Sequence, residues 1–415
     1  MAITLRPEDQ PVSKISANYD QLALGSQLAK RQGQLHFSNM ERHLREWGTL
    51  ESGDLGLLLR KLAPINDAIV DGGCRALSFG QQITVEYGNL LDRTIESYAA
   101  TEEENQRVIN ARMVKLGGTP SAPQAVPVPP ALGPAAGCAS GSWGEGELGF
   151  PFNAGQIADQ FAGPMSGFLS EALQKADRLG SPATVGERND ASSYLTTPVA
   201  NINEIQDLRW SAGAVLGSID WVFEKLAGFS LIERFVMEPF AGNWDRLEQA
   251  SIAWRNVSAA VSAVGDNFAG LAIGLSEWVG KGSEAFIAAA ALAAKGTGYV
   301  ANTASLVSSL VNGLVVLSKA AAGLIGLALR KISNFLMRLA VEAAVPAIGW
   351  AVAVLSFAVE LNEMFELVRK VYLVLNVLYG FLVQFADAKL SVLDTVKLNA
   401  DLAEAAARAT IARIA

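Results

Sequence analysis

The sequence predicts an all-α chain built on two long helical hairpins. Three observations predict it. Apolar residues recur at spacings of three and four along most of the chain. Alternating Val/Thr/Tyr runs bounded by turn dipeptides, the mark of strands, are nearly absent. A single stretch at 117–156 concentrates proline and glycine and separates a charged, amphipathic first part from an Ala/Leu/Val-rich last part.

The expected order is a hairpin in 1–116, with its helices within 14–113, and a Pro/Gly-rich, partly polyproline-II linker over 117–156. A helical leader segment over 157–242, a second hairpin over 243–336 and apolar C-terminal helices over 337–415 follow. In the first hairpin, Ile15, Tyr19, Leu22, Ala29 and Leu35 mark one apolar stripe, ending near Leu44 and Trp47. Gly48 to Asp54 forms a turn, and Pro64 suits the first turn of a return helix. Ile69, Ala76, Ile83, Leu90, Ile95 and Tyr98 carry that helix to about Met113, with Gly72-Gly73 as a weak point. Leu208 to Leu226 form one broad apolar face in the leader.

The clearest stripe opens the second hairpin. Leu247, Ala250, Trp254, Val257, Val261, Val264, Phe268, Leu271, Leu275 and Trp278 alternate by three and four without a break. A 3.5-residue period is that of a helix lying against another helix. Trp278-Val279-Gly280 follows. The indole is a large apolar plug for the end of a helix pair, and Gly280 suits the positive φ needed to reverse the chain. A second helix then runs from Ser283 to about Leu336.

Composition excludes several functions. The chain has 415 residues, half of them hydrophobic and 18% charged, and a net charge of −8. An acidic chain is a poor nucleic-acid binder. Two cysteines and two histidines exclude a disulfide framework and a Cys/His zinc cluster. His36 and His43 lie seven apart and are expected on a solvated helix face, and no catalytic set or cofactor motif is found. Cys74 and Cys138 read as small buried or incidental residues. Trp143, in the linker, could dock on a partner. The mean hydropathy of +0.25 leaves membrane contact open. It is concentrated in 313–386, where 339–359 is long enough to span a bilayer but carries Glu342 and Pro346. The N-terminus lacks the basic and apolar regions of a general secretory signal peptide.

Helix, Trp278-Val279-Gly280, helix, with the long stripe before it and the segment 221–257 leading into it, resembles the WXG100 (ESAT-6-like) module of actinobacterial type VII secretion substrates. The resemblance covers about residues 204–300. The first hairpin departs from the family at its turn, where Trp47-Gly48 stands in place of Trp-x-Gly. The end of its second helix reads Ser97-Tyr98-Ala99-Ala100-Thr101-Glu102, similar to the Tyr-x-x-x-Asp/Glu export signal of such substrates. Tyr98 and Glu102, four apart, share a helix face. Tyr299 is followed by Thr303, so only the first hairpin carries the motif.

The resemblance implies a non-enzymatic, cofactor-free protein, cytoplasmic before export and then secreted or displayed on the cell surface. Its partners would be the secretion ATPase, a small WXG100 protein or a second copy. Two alternatives stay open: a membrane-inserting or pore-forming effector acting through 313–386, and the trafficking part of a polymorphic toxin.

Overall fold

The computed structural model describes residues 17–55, 59–122, 128–139, 184–200, 244–280 and 296–316, with isolated helical positions between 282 and 294 and between 366 and 383. Among these residues the chain is mostly helical and forms no strand. A lone parallel bridge joins Gly137 and Asn189. The second half of the leader, with Leu208 to Leu226, and nearly all of 313–386 lie outside the described residues.

Helix α1 (Tyr19–Arg31) starts at Asn18, whose side-chain oxygen accepts from the Asp20 and Gln21 amides at 3.1 and 3.3 Å. It passes through a wide π turn, Gln32–Phe37, into α2 (Ser38–Gly48). The π turn adds a residue to the cycle and rotates the following face. It corrects two expectations. Leu35, placed on the apolar stripe, is 47% exposed, and Phe37 is buried in its stead. His36 and His43, expected in solvent, are 1% and 7% exposed. Gly33 occupies the bulge because a Cβ there would fall 2.6 Å from Thr84 Oγ1 and 2.8 Å from the Gln81 carbonyl.

Helix α3 (Ala63–Lys115) begins with Pro64 in its first turn and runs for 53 residues. It closes with a pair of reversed hydrogen bonds. Gly117 N–H donates to Val114 O at 3.1 Å and Gly118 N–H to Met113 O at 2.9 Å, with Gly117 at φ 80°. Gly72-Gly73 does not interrupt it. Gly73 is instead where Trp254 enters: a Cβ there would lie 2.5 Å from Trp254 Cη2.

Helix α4 (Trp244–Gly274) packs most closely on the arm formed by α1, the π turn and α2, antiparallel to it, and reaches across to α3, with which it runs parallel, through its large side chains. Gly73 meets Trp254, Tyr87 meets Phe268 edge-on at 6.2 Å, and Tyr98 meets Trp278. The contact residues step by nearly equal numbers along the two segments, so these side-chain contacts keep one register from Gly73 to Tyr98. Leu247, Val257, Val261, Val264, Leu271 and Leu275 are buried with them in one core.

Helix α5 (Gly296–Val316) returns along a different face of α4. Ser251 and Ser308 exchange hydroxyl-to-carbonyl bonds of 2.9 and 2.7 Å, Ser258 donates to the Ala301 carbonyl at 2.7 Å, and Gly265 faces Thr297. Small residues every seven positions let these two backbones approach closely, a second stripe that the large apolar residues obscure in the sequence. Among the described residues, Asp245–Gly274 and Gly296–Val316 are long and apolar enough to cross a membrane, but most of each apolar window is buried within the chain.

Candidate functional site: the Trp278 turn against the Tyr98 helix

The α4 helix ends in a turn where Trp278 N–H donates to Leu275 O at 3.0 Å and Gly280 takes φ 140°. Trp278 is 5% exposed. Its ring tilts against Phe286 at 6.0 Å, and its carbonyl accepts from the buried Ser283 hydroxyl at 2.5 Å. The indole N–H donates to the Tyr98 hydroxyl at 3.3 Å. The turn of the second hairpin thus meets the Tyr-x-x-x-Glu motif of the first, 180 residues away in sequence. Motif reading found both parts separately; nothing in the spacing shows that they touch.

Tyr98 is half-buried and Glu102 exposed. The Tyr19 hydroxyl oxygen is buried beside Glu102. Burial first, then the neighbouring carboxylate, pushes the Tyr19 pKa up to about 12. Beyond Glu102, α3 runs on almost fully exposed to Lys115, presenting Ile109, Met113 and Leu116 on the side of the helix that carries Tyr98 and Glu102. The arrangement sets a carboxylate, an anchored phenol and an apolar stripe along one side of the helix.

At the opposite end, Arg246 caps the first turn. Its guanidinium lies 5.7 Å from the Trp47 ring centre and donates to the Glu46 and Thr49 carbonyls at 3.3 and 2.9 Å. Trp47 is half-buried there.

A second polar cluster escaped sequence reading altogether. Residues 184–200, within the expected helical leader, run as extended chain with one 3-10 turn, Ala191–Tyr194, across α1 and α4. Glu187 enters the bundle there. It accepts from His36 Nε2 at 2.6 Å, from Gln32 Nε2 at 2.8 Å and from Arg31 Nη1 at 2.8 Å. Burial works to raise its pKa, but these donors outweigh it and hold Glu187 at about 2. His36 Nδ1 accepts the Ser192 amide at 3.2 Å and sits 2.8 Å from Ser192 Oγ. Ser192, His36 and Glu187 follow the order of a hydrolytic triad. Here, however, the Nδ1 lone pair already takes a backbone N–H, and Asn39 Nδ2 occupies the Ser192 hydroxyl at 3.0 Å. The cluster therefore fastens the chain 184–196 to the helices.

Cys74 is buried and Cys138 exposed. No group of three or more metal-ligating side chains forms among the described residues. Comparison with family models, curated proteins and solved structures returns no match for this chain.

Proposed function

We propose that this chain is a non-enzymatic type VII secretion substrate or secretion-associated protein whose two hairpins serve as each other's partner. The observation that carries the reading is the Trp278–Tyr98 contact, with Glu102 exposed one turn further along the same helix. In this reading Tyr98 and Glu102 are the residues taken up by the secretion ATPase, and Trp278 with Gly280 presents Tyr98 in one fixed pose. The pairing within the chain is supported by the stripe residues Leu247, Trp254, Val257, Val261, Val264, Phe268, Leu271 and Leu275. All are buried at 2% exposure or less, so this stripe is covered within the chain.

Exchange of Tyr98 and Glu102 together for Ala tests the assignment. Neither side chain is in the buried core, so helicity should persist while export is abolished. Normal export of the folded double variant would sink it.

A further inference from the structure

The segment 184–196 lies in a groove built to hold an extended main chain. Gln21 Oε1 accepts the Val185 amide at 2.6 Å. Asn267, fully buried on α4, accepts the Arg188 and Asn189 amides at 2.9 and 3.0 Å and donates to the Asn189 carbonyl at 2.9 Å. Gln32 braces the same Asn267 amide at 2.9 Å. Alongside, Gln27 accepts the Leu132 amide at 2.8 Å and donates to the Pro130 carbonyl at 2.9 Å. Arg31 donates to the Leu132 and Gly133 carbonyls. Gly270 and Gly274, one turn apart on α4, form the floor. A Cβ at Gly274 would meet Val185 Cγ2 at 2.6 Å, and one at Gly270 would clash with Arg188.

These amide side chains pair with backbone, so they are tolerant of sequence. Side-chain selection is confined to two places. The Arg31, Gln32 and His36 donors surround the Glu187 carboxylate, whose side chain is 3% exposed. Ala191, four residues on, is completely buried and leaves room only for a small residue.

We propose that the face of α1, the π turn and α4 lined by Gln21, Arg31, Gln32, His36 and Asn267 is a binding groove for an extended peptide with a glutamate near its N-terminal end, filled in this chain by its own residues 184–196. The groove holds the segment by contacts that are nearly all remote in sequence, so the same contacts are open to the same sequence supplied in trans. A tethered segment has an effective concentration of around millimolar, and keeps competitors out until its own hold is weakened. Glu187 is the group whose loss weakens it most, because three donors converge on that one carboxylate while the groove itself stays intact.

The test uses the full chain and a fluorescent peptide with the sequence of residues 184–196. The peptide should bind the Glu187→Ala chain at least tenfold more tightly than the unaltered chain. Adding Asn267→Ala to the Glu187→Ala chain should abolish binding, as should a peptide that lacks the glutamate. Absence of binding to a Glu187→Ala chain of unchanged helicity would overturn the proposal. So would equal binding to the unaltered chain, since an occupied groove must exclude the peptide.

If Glu187→Ala does not fold, amide exchange of the unaltered chain decides instead. The Arg188 and Asn189 amides should exchange at least tenfold faster than helix-core amides, through opening of the segment alone. Exchange at the core rate would mean that the segment is a fixed part of the fold and would refute the proposal. Peptide binding is read without export, so its failure leaves the secretion reading standing, and a failure of export leaves the groove standing.

Discussion

Gly73→Ala is a one-carbon perturbation that interrogates the register of α3 on α4. In an exposed helix interior this exchange stabilises by about 0.5–1 kcal/mol, because alanine loses less backbone entropy. At position 73 the new methyl would lie 2.5 and 3.1 Å from two Trp254 ring atoms and 3.0 Å from Leu44 Cδ2. Trp254 is 2% exposed and Leu44 fully buried, so neither has free space into which to retreat. Overpacking of this kind costs about 1–3 kcal/mol. The net expectation is a loss of about 1–2 kcal/mol, read as a fall in thermal midpoint of about 1–2 °C for a chain of this length. Gly298→Ala, inside α5 and with nothing within 4 Å of the new methyl, is the control and should stabilise by about 0.5–1 kcal/mol. In a Trp254→Ala background, which itself costs about 3–5 kcal/mol, Gly73→Ala should become neutral or favourable. A Gly73→Ala chain more stable than its parent, with Trp254 in place, would refute the entry of the Trp254 ring at Gly73.

Acid should weaken the fold through two groups. Burial lowers the His43 pKa from 6.5 to about 4, so its neutral form stabilises the native state above pH 6.5, and that contribution is lost as pH falls towards 4. The full displacement corresponds to about 3 kcal/mol. A His43→Leu chain should lose this part of the pH dependence in urea titrations between pH 7 and 4. Glu187, held at about 2 against an ordinary 4.5, contributes stability above pH 4.5 that disappears as pH falls through 2, a second loss at lower pH that Glu187→Gln should remove. The π turn predicts opposite outcomes two residues apart. Leu35→Ser should change stability by less than about 0.5 kcal/mol because the side chain is exposed, whereas Phe37→Ala should cost about 3–5 kcal/mol in the same melt. Ser308→Val should cost about 1–3 kcal/mol, because it removes one hydroxyl of the buried reciprocal pair and crowds Ser251.

The helical class, the turn after Gly48, Pro64 in the first turn of α3 and the end of that helix near Met113 were legible because each has a local cause. Period, proline geometry and glycine conformation act within a few residues. Gly73 was misread for the same reason. Its helix propensity is local, but its use, admitting the Trp254 ring, depends on a helix 181 positions away. Leu35 and the two histidines failed together. A single inserted residue in the π turn rotates every later position, and a 3.6-residue wheel carries no sign of the insertion beyond the polar gap at Gln32, Gly33 and His36. The site was legible only in halves. Trp278-Val279-Gly280 and Tyr98 with Glu102 each stand out as motifs, while their contact arises where the turn beyond α4 reaches across to α3. The groove for 184–196 left no periodic trace, since its specificity rests on side-chain amides reading backbone.

We propose export of this chain by a type VII route. The most direct measurement compares the unaltered chain in two otherwise identical host strains, one with an active type VII secretion ATPase and one with that ATPase inactivated. Equal synthesis inside both, with the chain found outside only the first, is the predicted result. The chain outside both strains in equal amount, or retained inside both, would contradict the account.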